Sequence, residues 1–259
     1  MSKASKNTSH RKLYTVGSDA PFQFVEAYKS LRTNLEFLSS AGNCKTILIT
    51  SSVPEEGKSN VALNLAMTLT ASGNRVVLVD CDLRKATISR YLRIPRNHAG
   101  LTNVITSKDE GALAAALVRV KDSGITVLTA GTIPPNPTEL LGNGRLKELL
   151  EEVRSQYDYV LLDCPPIEVV ADTEIISGYV DRTIFIVCAG LLDRSLLKEL
   201  QRLYNAGKYR NMALILNGTE TRVGYHRYGY GYGYGYGYGY GYGYGETDDD
   251  KKKHKSKKK

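Results

Sequence analysis

One short segment has the composition of a loop that binds phosphate. Residues 52–59 read Ser-Val-Pro-Glu-Glu-Gly-Lys-Ser and fit the pattern G-x-x-x-x-G-K-[ST], except that Ser52 replaces the first glycine. In such a loop, backbone N–H groups face the phosphates of a nucleotide. The lysine reaches oxygens of the β and γ phosphates, and the following hydroxyl binds Mg²⁺. The alternative is an ordinary structural turn. The residues predicted to contact a nucleotide are Pro54, Glu55, Glu56, Gly57, Lys58, Ser59 and Asn60.

Carboxylates follow two other apolar runs. Asp80 and Asp82 end the run that starts at residue 75, and Asp163 ends the run that starts at residue 159. One carboxylate could hold the Mg²⁺ shell while a second accepts a proton from an attacking hydroxyl. Asp163 has the position of a Walker B carboxylate, which binds Mg²⁺ directly or through water. The alternative for Asp80 and Asp82 is a pair of solvated acids that cap the next helix.

A row of phenols lies near the end of the chain. Nine Tyr-Gly pairs occupy residues 228–245, and together with Tyr225 they account for ten of the eighteen tyrosines. Glycine at every second position weakens both helix and strand, so residues 218–259 are predicted to be a disordered, exposed tail with a basic end. The phenols are predicted substrates; the alternative is a low-complexity segment that only self-associates. The candidate phosphate acceptors are Tyr225, Tyr228, Tyr230, Tyr232, Tyr234, Tyr236, Tyr238, Tyr240, Tyr242 and Tyr244.

Short apolar runs alternate with segments that have leucine or alanine at helical spacing. This alternation predicts βαβ units, and therefore an α/β fold with a doubly wound, mostly parallel sheet that binds ligands at the carboxyl ends of its strands. Thr138 is predicted to cap its helix, and Asn217 either reads an adenine edge or ends the last strand in an Asx turn. Residues 1–217 would form one domain. The predicted strands are residues 45–50, 75–80, 125–129, 159–163, 183–188 and 213–216, and the predicted helices are residues 25–37, 60–71, 138–156 and 193–206.

The composition limits the classes of partner. The first twelve residues carry a charge of +4, and residues 246–259 carry seven lysines against four acids, which leaves +1 for the rest of a chain of formal charge +8. A nearly neutral body is not typical of a nucleic-acid groove, so no nucleic-acid partner is predicted. No apolar run approaches the roughly 18 residues of a membrane span, so any membrane attachment is predicted to come from a partner. The four cysteines lack metal-ligand spacing and are predicted to be reduced core residues; they are Cys44, Cys81, Cys164 and Cys188.

Several stretches together resemble the bacterial tyrosine kinases that regulate capsule and exopolysaccharide assembly, in the free-standing type that works with a separate membrane adaptor. The tail is similar to the tyrosine cluster of that family, so the resemblance covers nearly the whole chain. It implies a P-loop NTPase fold of the MinD and ParA branch and an ATP-dependent protein-tyrosine autokinase. The stretches that carry the resemblance are residues 26–34, 52–59, 79–84, 130–141 and 157–166.

The resemblance also implies roles for particular residues, with ATP and Mg²⁺ as cofactors. Lys58 would bind the phosphates, and Asp80 would lie beside the incoming phenol as the base. The Mg²⁺ ligands would be Ser59, Asp82 and Asp163, and Asp82 would thereby take part in catalysis. Arg84 could stabilise the transferred phosphate or simply begin a helix.

Glu26, Lys29 and Arg32 match the N-terminal helix motif of the family, which has an arginine where this chain has Lys29. In the family this helix is associated with packing subunits into a ring, such as an octamer, in which tails reach neighbouring sites. From the residues alone, the three would form an ordinary charged helix face, and lysine is a poorer bidentate partner than arginine. Other implied partners are a transmembrane adaptor of the polysaccharide co-polymerase type that recruits the kinase to the inner face of the cell membrane, a cognate tyrosine phosphatase and further protein substrates.

Two other functions compete with the kinase on sequence grounds. A spatial-organiser ATPase like MinD or ParA would share the loop and the acids. Those proteins carry a signature lysine four positions before the last glycine of the loop, where this chain has Val53. The third reading is an inactive nucleotide-binding scaffold with an adhesive tail, against which the retention of Lys58, Asp80 and Asp163 argues.

Overall fold

A computed structural model describes residues 15–219, apart from residues 18, 41–44 and 192. The strands are β1 Thr46–Ser51, β2 Val76–Asp80, β3 Val118–Arg119, β4 Thr126–Leu128, β5 Tyr159–Asp163, β6 Arg182–Cys188 and β7 Ala213–Asn217. The helices are α1 Phe22–Ser40, α2 Lys58–Ala71, α3 Ile88–Tyr91, α4 Leu101–Thr106, α5 Ala112–Ala116, α6 Pro137–Gly142, α7 Arg145–Gln156, α8 Asp172–Ser177 and α9 Arg194–Asn205.

The strands form one sheet in the order β3-β4-β2-β5-β1-β6-β7. Every neighbouring pair is parallel except β3 with β4. Parallel strands need long crossover connections, and the intervening helices provide them. Because β2, β5 and β1 are parallel neighbours in the sheet, the predicted phosphate loop and the predicted acids lie close together at the carboxyl ends of these strands.

Both faces of the sheet are covered by helices. Along β1, the side chain of Leu48 packs with α4 to α8, whereas Ile47 and Ile49 pack with α1 and α2 on the opposite face. A smaller cluster joins α9 to Phe185 of β6. Strands buried on both faces consist of nearly continuous apolar residues, which is why these strands could be located in the sequence.

The structure confirms the α/β doubly wound class and the six predicted strands, but two details of the predicted helices were wrong. Residues 138–156 do not form a single helix, because Gly144 adopts a left-handed φ of 88° between α6 and α7. The N-cap of α6 is Asn136, and Pro137 fills the first turn, so Thr138 is not the cap. The short elements β3, α3, α4, α5 and α8 were not predicted, since they are too short to show a period.

The described cysteines agree with the prediction. Cys81, Cys164 and Cys188 are buried thiols that form no disulfide in this part of the chain, while Cys44 lies outside the described residues. Among the helices of the described ranges, none is long and apolar enough to cross a membrane. The described part ends at residue 219, so the domain boundary at residue 217 stays a prediction.

Candidate nucleotide site

The predicted phosphate loop joins β1 to α2 and lies beside the ends of β2 and β5. In the sheet register, Asp80 is the partner of Asp163. Lys58 is the first residue of α2, and its Nζ atom lies 3.1 Å from Asp82 Oδ2, 3.5 Å from Asp163 Oδ1 and 3.4 Å from Ser59 Oγ. The structure therefore brings together the lysine, the hydroxyl and the carboxylates that the sequence assigned to one site.

Gly57 makes the turn from the loop into α2. Its φ of 89° lies in the left-handed region, which glycine adopts without strain. A Cβ atom at this position would also lie 2.4 Å from Nδ2 of Asn217. That amide donates a hydrogen bond of 2.8 Å to the carbonyl of Glu56. Asn217 therefore supports the loop, and its predicted contact with adenine stays a prediction.

Glu56 is completely buried and fastens the loop to the sheet. Its Oε2 accepts hydrogen bonds from the N–H groups of Ser52 at 2.9 Å and Val53 at 3.1 Å, and its Oε1 accepts one from the N–H of Cys188 at 3.1 Å. Hydrogen bonds to a carboxylate are stronger than those between neutral groups. The side chain of Glu56 thus bonds to the protein, so a contact with nucleotide would have to come from its backbone.

Backbone N–H groups orient the two acids that follow β2. Asp80 accepts from the N–H of Asp82 through Oδ1 and from the N–H of Ile88 through Oδ2, both at 3.2 Å. Asp82 Oδ1 accepts from the N–H of Lys85 at 2.9 Å, while Oδ2 faces Lys58. Asp80 therefore orders the loop, and Asp82 is directed into the site.

Burial and the mutual charges set the electrostatics of the site. Burial alone would lower the pKa of Lys58, but the negative charges of Asp163 and Asp82 outweigh it and hold that pKa above its ordinary value. Burial raises the pKa of Asp163. Burial, followed by the charge of Asp163, raises the pKa of Asp80 well above its ordinary range. The lysine therefore remains a cation, while the two fully buried aspartates hold protons more tightly than exposed ones.

These residues fit a phosphate-bound Mg²⁺ ion. Asp163 is completely buried, with the Lys58 ammonium 3.5 Å from its Oδ1. A carboxylate has about four lone-pair sites, so Asp163 retains acceptor capacity for a cation or its coordinated water. Mg²⁺ is usually held by one or two carboxylates together with waters and phosphate oxygens. Ser59, Asp82 and Asp163 match that set. Phosphate oxygens and water would complete the shell. Among the described residues, no three or more His, Cys, Asp or Glu side chains form a metal-binding group.

Three other residues of the predicted loop are Pro54, Glu55 and Asn60. Pro54 and Glu55 are exposed, and Glu55 has a positive φ of 70°. Asn60 lies in the first turn of α2, where its carbonyl accepts from Asn64 Nδ2. Their predicted contacts with a nucleotide stay predictions.

The predicted oligomerisation residues lie on α1, away from these contacts. Lys29 Nζ pairs with Glu26 Oε1 at 2.7 Å, and Arg32 Nε pairs with Glu36 Oε1 at 3.7 Å. The two ion pairs form a charged face within α1. The candidate acceptor tyrosines, Tyr225 and the nine between residues 228 and 244, lie outside the described residues.

The sequence did not identify two features of the site. One is the bracing role of Glu56, because the loop pattern accepts any residue at its position. The other is the bonding of Arg84 to Thr138 and Asp172, since no local pattern marks Asp172 as a partner.

The fold and the site define a P-loop nucleotide-binding protein. A family model described as an AAA domain matches residues 44–180. The chain also shares its fold with the cell division ATPase MinD of Pyrococcus furiosus, with a TM-score of 0.55 over 66% of this chain and 71% of that one. The identity to MinD is 19%, so this likeness shows the fold alone.

Two further comparisons are more specific. The tyrosine-protein kinase YwqD of Bacillus subtilis is 36% identical over 193 residues, which cover 74% of this chain and 80% of YwqD. The kinase domain of the Escherichia coli tyrosine kinase ETK matches with a TM-score of 0.70 and 33% identity, over 80% of each chain. The chain therefore belongs to the family of bacterial tyrosine kinases, as its motifs predicted.

Proposed function

We propose that this protein-tyrosine kinase transfers the γ-phosphate of ATP to tyrosines of its own tail. The observation that carries the proposal is the Lys58 ammonium held between Asp82 and Asp163 at the phosphate loop of a chain that carries a row of phenols at residues 225–244. A P-loop enzyme acts as a kinase when a phenol, rather than water, takes the in-line position. A tail on the same chain supplies that phenol at high effective concentration.

The residues of the site then have distinct tasks. Lys58 binds the β and γ phosphate oxygens, because the surrounding acids keep its ammonium charged. Ser59, Asp82 and Asp163 hold Mg²⁺, which neutralises charge on the transferred phosphate. Asp80 accepts the phenol proton, and a raised pKa suits this role because such a carboxylate retains the proton well. Each oxygen of Asp80 accepts one backbone N–H, which leaves a second lone pair on each oxygen for the phenol proton.

The tail reaches more than one site. The 27 residues from Gly218 to Tyr244 span up to roughly 90 Å at about 3.3 Å per residue. Distance therefore does not select between a chain's own site and that of a neighbour. We assign Glu26, Lys29 and Arg32 to contacts between subunits of a ring, in which tails are phosphorylated in trans.

The cellular role in this proposal is the regulation of capsular and exopolysaccharide synthesis and export. The support is the resemblance to the bacterial kinases of capsule and exopolysaccharide assembly, which is carried by residues 26–34, 52–59, 79–84, 130–141 and 157–166. In that role the protein is cytoplasmic and is recruited to the inner face of the membrane by a transmembrane adaptor, which also activates it. A cognate phosphatase returns the tail to its unmodified state.

Mass mapping of the tail tests the proposal. The full chain is incubated with ATP and Mg²⁺, with and without the cytoplasmic segment of an adaptor, and its tail peptides are analysed. We expect phosphotyrosine in the tail of the wild-type chain and none in the tail of Lys58→Met. Lys147→Met is the matched control, because Lys147 is an exposed lysine of α7, and it should be phosphorylated normally.

Each contrary outcome supports a different function. ATP hydrolysis without phosphotyrosine, even with the adaptor segment, would favour a MinD-like ATPase. Nucleotide binding without any turnover would favour an inactive scaffold.

A further inference from the structure

A polar cluster holds the loop after β2 through side chains of two other elements. It consists of Arg84, Thr138 and Asp172, and we call it the Arg84 clamp. Arg84 Nε donates to Asp172 Oδ2 at 3.1 Å, and Arg84 Nη2 donates to Thr138 Oγ1 at 2.9 Å and to Asp172 Oδ1 at 3.4 Å. Thr138 Oγ1 in turn donates to Asp172 Oδ1 at 2.7 Å. Each of the three side chains is therefore bonded to the other two.

The clamp joins segments that are distant in sequence. Arg84 belongs to the loop after β2, Thr138 to the first turn of α6, and Asp172 is the first residue of α8. The side chain of Asp172 is completely buried, whereas that of Arg84 is 41% exposed. A buried carboxylate without a partner is strongly unfavourable, so Asp172 fixes the guanidinium in place.

In this arrangement Nε and Nη2 of Arg84 bond to protein side chains, and a contact of this arginine with the transferred phosphate stays a prediction. The sequence left open whether this arginine stabilises phosphate or begins a helix. In the structure its guanidinium is directed to two side chains that come from other elements, and the bidentate geometry leaves it little freedom.

Arg84 is only two residues beyond Asp82, in the same loop. Asp80 holds the start of that loop through the N–H of Asp82, and the N–H of Lys85 fixes the orientation of the Asp82 carboxylate. The clamp holds the segment between these two bonds. We propose that Asp172 and Thr138 are positioning residues that act through Arg84 to hold Asp82 for Mg²⁺, an inference that rests on the proposed function of Asp82 as an Mg²⁺ ligand.

The clamp should be visible in Mg²⁺-dependent nucleotide binding. Loss of a residue that orients a metal ligand typically weakens metal affinity by about 10- to 100-fold. We expect Asp172→Asn to raise the Mg²⁺ concentration that half-saturates binding of a fluorescent ADP analogue to the full chain by about 10-fold. Binding of the analogue without Mg²⁺ should change by less than about 2-fold, because the hydrogen bonds of the clamp join Arg84, Thr138 and Asp172 to one another rather than to the phosphate loop.

Further variants separate positioning from folding. Arg84→Lys and Thr138→Val should share the Mg²⁺ defect, since lysine cannot bond both partners in bidentate fashion and valine lacks the hydroxyl. Thr138→Ser keeps the hydroxyl and should bind Mg²⁺ normally. If Asp172→Asn does not fold, the pair Thr138→Val and Thr138→Ser decides the question.

The control is Asp158→Asn. It breaks another bidentate pair, in which Arg75 Nε and Nη2 lie 3.2 Å and 2.8 Å from the Asp158 carboxylate. This pair lies at the amino ends of β2 and β5, whereas the nucleotide site lies at their carboxyl ends. A defect in this variant equal to that of the clamp variants, or an unchanged Mg²⁺ dependence in Thr138→Val, would overturn the inference. Because the assay needs no phosphate transfer, a chain that binds Mg²⁺ and nucleotide as expected but makes no phosphotyrosine would refute only the proposed function.

Discussion

At the scale of single residues, the site places three aspartates around one lysine in a buried environment. The pKa of Asp80 is raised by burial and by the charge of Asp163, from an ordinary value of 3.8. Below that value the residue is protonated in both the folded and the unfolded chain. As the pH rises, the unfolded chain releases the proton first, so the favourable contribution of neutral Asp80 to folding is lost as the pH passes through the raised pKa.

Replacing Asp80 should therefore stabilise the fold and impair the enzyme. We expect Asp80→Asn to raise the thermal midpoint at pH 8 by about 2 °C or more, and we expect the gain to vanish near pH 4. If Asp80 is the base, the rate of tail phosphorylation should fall by about 100-fold or more. Calorimetry at several pH values and a phosphotyrosine assay measure the two effects.

Asp158→Asn serves as the comparison, because the pKa of Asp158 is shifted in the opposite direction from that of Asp80. Hydrogen bonds from Arg75 lower the pKa of Asp158, so loss of this carboxylate should give no gain in midpoint at pH 8. A lower midpoint for Asp80→Asn at pH 8 would show that its hydrogen bonds to the backbone outweigh the cost of its buried charge.

At the scale of elements, the phosphate loop is held by two residues whose partners come from elsewhere in the chain. The Glu56 carboxylate joins the start of the loop to the N–H of Cys188 at the end of β6, and Asn217 at the end of β7 bonds to the Glu56 carbonyl. β6 and β7 are the strands beyond β1 in the sheet. The strands β6 and β7 on one side of β1 therefore support the loop, whereas the strands β5 and β2 on its other side carry the acids.

Adjacent glutamates in the loop provide a matched pair of variants. Glu56→Gln places an amide against three backbone donors and removes the charge, so we expect it to lower the free energy of unfolding by about 2 kcal/mol or more and to weaken nucleotide binding. Glu55→Gln alters an exposed side chain next to it and should change stability by less than about 0.5 kcal/mol. Denaturant unfolding and ADP binding would measure both; equal effects of the two variants would contradict the bracing role.

At the scale of the whole molecule, net positive charge is concentrated at the two ends of the chain, and the body between them is nearly neutral. Each phosphotyrosine adds about −1.5 to −2 charges, so modification of all ten acceptors would add roughly −15 to −20. In a ring of subunits, tails with this charge repel one another. The signal would then reside in the total charge of the tail more than in any one tyrosine.

Complete autophosphorylation should consequently lower the mass of the proposed ring. We expect sedimentation to show smaller species after incubation with ATP and Mg²⁺, and treatment with a tyrosine phosphatase should restore the larger ones. High salt should also oppose dissociation, because it screens the repulsion. Lys58→Met incubated with ATP is the control, and an unchanged oligomer mass after full phosphorylation would refute the mechanism.

The sequence by itself determined the α/β class, the six main strands and the identity of the lysine, hydroxyl and carboxylates at the site. These features were accessible because each depends on a local pattern: continuous apolar runs, or polar residues placed directly at the end of such a run. The resemblance to one kinase family rested on the same local motifs.

Only the tertiary structure decided which side chains hold those motifs in place. Glu56 bonds to Cys188, Asn217 to the phosphate loop, and Arg84 to Asp172, each across a long separation in sequence. The break between α6 and α7 falls at Gly144, whose left-handed φ of 88° the helical spacing of residues 138–156 did not reveal. Such partners are chosen by the order of strands in the sheet and by burial, and neither is encoded in a short window of residues.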